Sequence, residues 1–219
     1  MKRKKWLLPV ETDACVSKLA GELGLSRLSA RVLAARGFDS REKAQAFLDR
    51  SLDGIHDPYL LKDMDLAVEE IRRALRDRVK IAVYGDYDVD GVTATCIMIQ
   101  YLRSRGADCT YYIPDRLGEG YGLNPAAIQS LYDDGCRLLI TVDSGITAEE
   151  EARFAGSLGL RLIITDHHEC REEMPEAEAV VNPRRGDCSY PFAELAGVGV
   201  AFKLICALAG PTELNRVLN

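Results

Sequence analysis

The sequence has few of the residues that build several common kinds of site. Its 219 residues include three histidines and one tryptophan, and they contain no C-x-x-C motif. No apolar run approaches the ~20 residues that a membrane span requires. The seven cysteines are odd in number and widely spaced, so neither a disulfide framework nor a structural zinc site is expected. We interpret them as small buried residues in a reducing compartment, which predicts a cytoplasmic protein with no membrane segment.

The charge balance is acidic, with 28 Lys and Arg residues against 34 Asp and Glu residues. A net charge of -6 argues against a broad basic surface for nucleic acid. Carboxylates that surround metal ions also make a chain acidic until the ions bind. The basic start of the chain runs into Glu11 and Asp13 where a signal peptide would continue with apolar residues, so we interpret it as a solvated tail.

The spacing of apolar residues changes at about residue 79. Residues 1–78 have helical spacing and no cluster of metal-binding residue types, which predicts a small helical region with a structural or docking role. From residue 79 to 219, short β-rich runs alternate with helical ones, which predicts an α/β domain with a parallel sheet covered by helices on both faces. The expected strands are 81–84, 109–113, 138–142, 162–165 and 179–181, and the expected helices between them are 92–105, 125–134 and 148–158.

Acidic and imidazole side chains follow three of the four main predicted strands. Because the carboxyl ends of parallel strands meet at one edge of a sheet, these side chains should lie close together. Gathered carboxylates repel one another unless a cation neutralises them, so a divalent-metal site is predicted. The residues are Asp86, Asp88 and Asp90 after the first strand, Asp143 after the third, and Asp166, His167 and His168 after the fourth.

Other motifs fail on their spacing. Asp86–Gly91 matches the opening of a calcium loop, but the twelfth position is Ile97 and the segment follows a strand rather than a helix. His167–Glu169 matches the H-x-E of zinc deaminases, but no P-C-x-x-C follows it. The glycines of Gly118–Gly122 do not fit a dinucleotide fingerprint, and neither a Walker motif nor G-x-S-x-G occurs.

The strand-end motifs resemble those of the DHH phosphoesterases. The segment Val83–Thr93 is similar to their first motif in the form used by the RecJ-type single-strand exonucleases. Asp143–Ile146 resembles the second acidic motif, and Asp166–Glu169 is the signature for which the family is known. Arg116–Asn124 and Leu195–Lys203 resemble further segments of the RecJ-type branch, and the likeness extends over nearly the whole chain.

This resemblance implies a two-metal centre in which Asp143 lies between two Mn²⁺ or Mg²⁺ ions. Such centres activate the attacking water and stabilise the attacking and leaving oxygens. The implied ligands are Asp88, Asp90, Asp143 and His167. Asp86 and Asp166 could each be a further metal ligand or a residue that orients the ligands. The implied catalytic set is Asp88, Asp90, Asp143, His167 and His168.

Substrate contacts are also implied by the resemblance. His168 would contact the substrate phosphate or support the ligands, and Arg116 would meet a phosphate with its planar fork. Gly197 and Gly199 begin a predicted helix whose first amides would bind an anion. A surface arginine and tight helix packing are the alternative interpretations of these residues.

Two departures from the family pattern are expected to weaken the site. Tyr84 stands where many DHH enzymes carry a histidine, so one ion would be held less tightly. The chain is expected to be truncated before a further aspartate ligand and a second, substrate-binding domain, because Leu214–Asn219 has the pattern of an interrupted helix. We therefore expect metal binding with low nuclease activity.

The function implied is 5′ to 3′ exonuclease activity on single-stranded DNA in recombination and repair. A phosphodiesterase for oligonucleotides or cyclic dinucleotides is the enzymatic alternative. The alternative from another class is a non-catalytic DHH scaffold that binds a replication or repair partner. Repair or helicase proteins are conceivable partners, but the sequence names none.

Overall fold

A computed structural model describes residues 13–49, 54–120 and 122–210 of the chain. The basic start and the interrupted helix at residues 214–219 lie outside the described residues, as do residues 50–53 of the predicted helical region. The chain divides into two compact units, Met1–Ile55 and His56–Asn219. Among the described residues, no helix is long and apolar enough to cross a bilayer.

In the described part of the first unit, three short helices surround a small apolar core. Ser26 and Ser40 cap the second and third helices, because their hydroxyls accept hydrogen bonds from the amides of Ser29 and Lys43. The helical character predicted for this region is confirmed. The helices are α1 (Asp13–Leu23), α2 (Arg27–Ala35) and α3 (Arg41–Leu48), and the core residues are Val16, Leu19, Ala30, Leu33 and Ala44.

The second unit is built on a parallel sheet of five strands in the order β2-β1-β3-β4-β5. The predicted parallel α/β sheet is confirmed, and each predicted strand differs from the observed one by no more than one residue at an end. The strands are β1 (Ile81–Tyr84), β2 (Cys109–Tyr112), β3 (Leu138–Val142), β4 (Arg161–Thr165) and β5 (Ala179–Val181).

Helices cover both faces of this sheet, as predicted. Successive residues of a strand point to opposite faces, so Ile81 and Val83 join one core while Ala82 and Tyr84 join the other. The first core includes residues of α4, α5 and α8, and the second includes residues of α6 and α7. The helices are α4 (Met64–Arg76), α5 (Val89–Ser104), α6 (Pro125–Asp133), α7 (Glu149–Leu158) and α8 (Gly197–Ala209).

Helix α4 places the start of the second unit earlier than the predicted boundary at residues 78 and 79. Its apolar side chains, including Val68 and Ile71, are buried in the core that it shares with α5 and α8. The sequence showed the helical spacing of this segment but not the surface that its apolar face covers. The helix therefore belongs structurally with the sheet rather than with the small helical region.

The outer edge of β5 is covered by two charged side chains. The amide of Val180 donates to Asp63, and Arg185 donates to the carbonyl of Val180 at 2.6 Å. Arg185 also pairs with Asp63. Asp63 has the left-handed backbone angle φ 61° and directs its carboxylate to this edge instead of capping α4. The backbone polar groups of this edge residue are thus satisfied without a further strand.

The strand order reverses direction between β1 and β3, because β2 lies on one side of β1 and β3 lies on the other. In open α/β sheets such a switch point forms a crevice at the carboxyl ends of the strands, where ligands bind. The loops that leave β1 and β3 carry the acidic residues identified in the sequence. The topology therefore brings Asp86, Asp88 and Asp143 to the same place.

Candidate metal centre

Among the described residues, two groups of side chains that could hold a metal ion meet at this crevice and share Asp143. Ligand atoms of Asp86, Asp88 and Asp143 lie within 4.8 Å of one another, and the same holds for Asp143, His167 and His168. His167 Nε2 lies 3.1 Å from Asp143 Oδ1 and 3.7 Å from Asp90 Oδ2. Asp143 is therefore the side chain that the two groups have in common.

The loop after β1 is shaped by the start of α5. Asp88 caps this helix, because its Oδ1 accepts hydrogen bonds from the amides of Asp90 at 2.8 Å and Gly91 at 3.0 Å. The helix consequently begins at Val89, three residues before the predicted start. A Cβ on Gly91 would lie 2.5 Å from the backbone nitrogen of Asp86, so only glycine allows the first turn to pack on the loop.

Asp90 reaches across to the N-terminus of α8. Its Oδ2 accepts a hydrogen bond from the amide of Gly197 at 2.8 Å, and its Oδ1 accepts one from Val198 at 2.7 Å. Ala196, at the N-cap position, has no side chain that could do this. The anion at the start of this helix is therefore the protein's own carboxylate, which the positive end of the helix dipole favours.

Gly197 and Gly199, which the sequence analysis treated together, differ in their surroundings. A Cβ on Gly197 would lie 2.2 Å from Asp143 Oδ1, whereas a Cβ on Gly199 would meet Leu195 at an ordinary 3.4 Å. Close packing against the metal centre thus accounts for Gly197. Substrate contact by either residue stays a prediction.

Asp143 is held in surroundings that disfavour its charge. It is 2% exposed and has the left-handed angle φ 60°. Burial, and after it the negative charges of Asp90 and Asp88, raise the pKa of Asp143 to about 7. A bound cation would reverse this effect, because it would stabilise the carboxylate form.

Asp86 gives a second reason to expect a cation. It is 3% exposed, and its Oδ1 has no hydrogen-bond partner among the described residues. Burial raises the pKa of Asp86, and the charge of Asp88 acts in the same direction. A buried carboxylate oxygen without a partner is destabilising unless an ion or water satisfies it. Carboxylate oxygens with an imidazole nitrogen form a donor set that suits Mn²⁺ or Mg²⁺, so these residues fit the implied ions.

The DHH loop, residues 166–169, is organised around Asp166. This residue is 1% exposed, and its Oδ1 accepts hydrogen bonds from the amides of His167 and His168 and pairs with His168 Nδ1 at 2.7 Å. Its Oδ2 accepts one from the amide of Ile146 at 2.9 Å. Asp166 therefore orients the loop, which favours the orienting role over the ligand role left open by the sequence.

These contacts also set the charge states of the pair. Burial acts to raise the pKa of Asp166, but the hydrogen bonds from His168 and Ile146 outweigh it and the pKa is lowered. The hydrogen bond with Asp166 raises the pKa of His168 against the opposing effect of burial. A carboxylate that fixes a histidine ring in this way is a common support for residues around a metal site.

Arg116 lies beside the loop after β1. Its guanidinium carbon is 5.3 Å from the centre of the Tyr87 ring, and its side chain is exposed. The side chain is thus accessible to a phosphate, and the contact stays a prediction. Tyr84, at the position of the family's histidine, uses its hydroxyl to donate to the carbonyl of Gly122 at 3.0 Å and to accept from Asn124.

Asn182 is a polar residue of this region that the sequence analysis did not identify. It directly follows β5, and its side-chain amide donates to the carbonyl of His168 at 3.0 Å. The available signal was its place, since it follows a strand just as the acidic residues do. The contact between Asp90 and α8 had no comparable signal, because the two segments are far apart in the sequence.

A family profile identifies the class of protein to which this sheet and this site belong. The profile of the DHH family, N-terminal domain, matches residues 80–218. The chain therefore belongs to the DHH family. This match begins next to the predicted boundary at residue 79, whereas the compact unit begins at His56.

Several curated relatives of the chain are single-stranded-DNA-specific exonucleases named RecJ. The chain is 45% identical over 214 residues to the single-stranded-DNA-specific exonuclease RecJ of Bacillus subtilis (strain 168), covering 97% of this chain and 27% of that protein. The crystal structure of exonuclease RecJ bound to manganese matches with a TM-score of 0.63 and 38% identity over 68% of this chain and 38% of that one. The structure of RecJ in complex with Mn²⁺ from Thermus thermophilus matches with a TM-score of 0.68 and 28% identity over 95% of this chain and 30% of that one. The chain spans about a third or less of the length of the curated relatives it matches.

Proposed function

We propose that this chain carries the metal-dependent catalytic centre of a RecJ-like exonuclease that degrades single-stranded DNA from the 5′ end, in recombination and repair. The observation that carries the proposal is the position of Asp143, which both groups of metal-binding side chains share. The names of the relatives support single-stranded DNA as the substrate. Cytoplasmic location and repair or helicase partners belong to the same proposal.

The centre would hold two Mn²⁺ or Mg²⁺ ions. When bound, these ions would supply Lewis-acid stabilisation and activation of the nucleophile, as in other two-metal sites. The unsatisfied oxygen of Asp86 and the raised pKa of Asp143 support this assignment, as do the manganese complexes of the two solved relatives. The proposed ligands are Asp86, Asp88, Asp90, Asp143 and His167.

The chain's own residues would orient the scissile phosphate. His168, whose ring is fixed and whose pKa is raised by Asp166, would donate a charge-assisted hydrogen bond to a phosphate oxygen. Arg116 would bind a second phosphate oxygen at the exposed side of the centre. The Gly197 amide already donates its hydrogen bond to the Asp90 carboxylate. A substrate contact at α8 would therefore have to use other atoms of Gly197 or Gly199.

The first experiment measures metal binding. Calorimetric titration of the chain with Mn²⁺ should show uptake that Asp143→Asn abolishes. Asp77→Asn, an exposed charge-matched control at the end of α4, should bind as the wild type does. Absence of Mn²⁺ uptake by the wild type would contradict the metal centre.

The second experiment identifies the substrate. Single-stranded DNA labelled at the 5′ end should release labelled mononucleotide in Mn²⁺ and none in EDTA, with duplex DNA as the control. Hydrolysis of a cyclic dinucleotide without hydrolysis of DNA would favour the alternative phosphodiesterase. Metal binding with no hydrolysis of either substrate would favour the non-catalytic scaffold.

A further inference from the structure

Asn182 joins the end of β5 to the DHH loop through a fully buried side chain. It is 0% exposed, its Nδ2 donates to the carbonyl of His168 at 3.0 Å, and its Oδ1 accepts from the amide of Arg184 at 2.8 Å. The residue before it, Val181, accepts a hydrogen bond from the amide of Asp166 at 3.1 Å. Asn182 is therefore fixed by the sheet itself, directly beside the loop that carries both histidines.

The DHH loop is consequently held by two side chains that bind different backbone groups. The Asp166 carboxylate accepts from the amides of His167 and His168, and the Asn182 amide donates to the carbonyl of His168. Together they bind the peptide groups on both sides of His168. The place of His167 Nε2, 3.1 Å from Asp143, depends on the same short stretch of backbone.

We propose that Asn182 is a positioning residue of the metal centre, which sets the direction of the His167 and His168 side chains by holding the His168 carbonyl. This inference rests on the proposed metal-dependent function. Partners that surround metal ligands act by restricting the ligands to their binding geometry. Asn182 does so from the end of β5, which is not one of the three strands that the acidic and imidazole residues follow.

The competing explanation is that Asn182 only satisfies a buried carbonyl and stabilises the fold. Asn182→Asp separates the two explanations, because aspartate keeps the size of the side chain and the acceptor for Arg184. It replaces the donor to the His168 carbonyl with a carboxylate oxygen, which cannot donate while it is ionised, and the comparison is therefore made at pH 8. A purely structural residue would lower stability without altering the metal affinity of the molecules that remain folded.

Two control variants test how local the effect is. Val180→Ala, in the strand that Asn182 follows, removes buried apolar surface on the α6 and α7 face of the sheet. Arg184→Ala keeps the backbone amide that donates a hydrogen bond to Asn182. It removes the ion pairs of Arg184 with Glu169 and with Glu194. Both variants should bind Mn²⁺ with the wild-type affinity, and Val180→Ala should lower the free energy of unfolding.

The experiment compares Mn²⁺ affinity by calorimetry with the free energy of unfolding by urea denaturation in EDTA. Asn182→Asp should weaken Mn²⁺ binding by about 10- to 100-fold, the range typical of such supporting partners. It should also lower kcat for single-stranded DNA more than it changes KM, and Asn182→Ser provides the same comparison if the aspartate variant does not fold. Folded variants of Asn182 with wild-type Mn²⁺ affinity would overturn the inference, whereas a wild-type chain without Mn²⁺ uptake would contradict the proposed function itself.

Discussion

The carboxylate of Asp90 accepts a hydrogen bond from the amide of Gly197 at 2.8 Å, and this contact joins the loop after β1 to the start of α8. The same glycine packs directly against Asp143, which leaves no room for a side chain. The start of α8 is therefore a wall of the metal centre as well as a helix terminus. Changes at the helix start and changes at the carboxylates should affect one another.

Gly197→Ala should disrupt the centre, while Gly199→Ala should not. The new methyl group at position 197 would lie 2.2 Å from Asp143 Oδ1, whereas the one at position 199 meets only Leu195 at an ordinary distance. We expect Gly197→Ala to weaken Mn²⁺ binding at least tenfold and to lower the melting temperature. Gly199→Ala should be neutral or slightly stabilising, because alanine favours helix over glycine by about 1 kcal/mol. Equal effects of the two variants in calorimetry and thermal melts would contradict this role of Gly197.

Neutralising Asp90 and neutralising Asp86 should change the stability of the metal-free protein in opposite directions. Asp90→Asn weakens the cap of α8 and should lower the free energy of unfolding by about 1 kcal/mol. Asp86→Asn removes a buried charge that the fold disfavours, as its raised pKa indicates, and should raise that free energy. Urea denaturation at pH 8 in EDTA measures both. An Asp90→Asn variant as stable as the wild type would show that Asp90 does not stabilise the start of α8.

The stability of the metal-free chain should depend on pH through Asp143. The folded state raises the pKa of this carboxyl from 3.8 to about 7, so folding favours its protonated form. The resulting stability is complete below about pH 4 and is lost as the pH rises toward 7, by up to about 4 kcal/mol. Asp143→Asn should remove this loss and be more stable than the wild type at pH 8 in EDTA. Asparagine also tolerates the left-handed backbone of this position. Parallel pH profiles of the two proteins in urea denaturation would contradict the prediction.

Asp166→Asn should lower the pKa of His168. The hydrogen bond with the Asp166 carboxylate is the largest cause of the raised pKa, and an uncharged amide supports the imidazolium less well. Because the chain has only three histidines, their ring signals can be followed by NMR during a pH titration. His56, which packs against Tyr190, provides an internal control. A His168 titration that does not move in the variant would show that another group sets its pKa.

Much of the fold was predictable because its signals are local. Apolar runs such as Leu138–Val142 identify buried parallel strands without any knowledge of their neighbours, and the order of strands and helices indicates the α/β class. The strand-end residues Asp86 and Asp143 could be brought together by topology alone. Their roles as ligands stay predictions until metal binding is measured.

The remaining features depend on distant contacts that no local pattern reports. The helical spacing of α4 gave no information on which surface it covers, so the predicted boundary fell after this helix. Asp90 has the same appearance in the sequence whether it caps α8 or coordinates an ion. Gly197 and Gly199 are equivalent in the motif, and only the position of Asp143 distinguishes them.

The charged cover on β5 has a consequence for self-association. Strands at the edge of a sheet can recruit a strand from another molecule, which leads to aggregation. The Val180 amide and carbonyl are already bound by Asp63 and Arg185, so a strand that added there would first have to break an ion pair and two hydrogen bonds. Growth of the sheet by strand addition is therefore opposed at Val180, and an added strand could not pair with β5 without first separating Asp63 from Arg185.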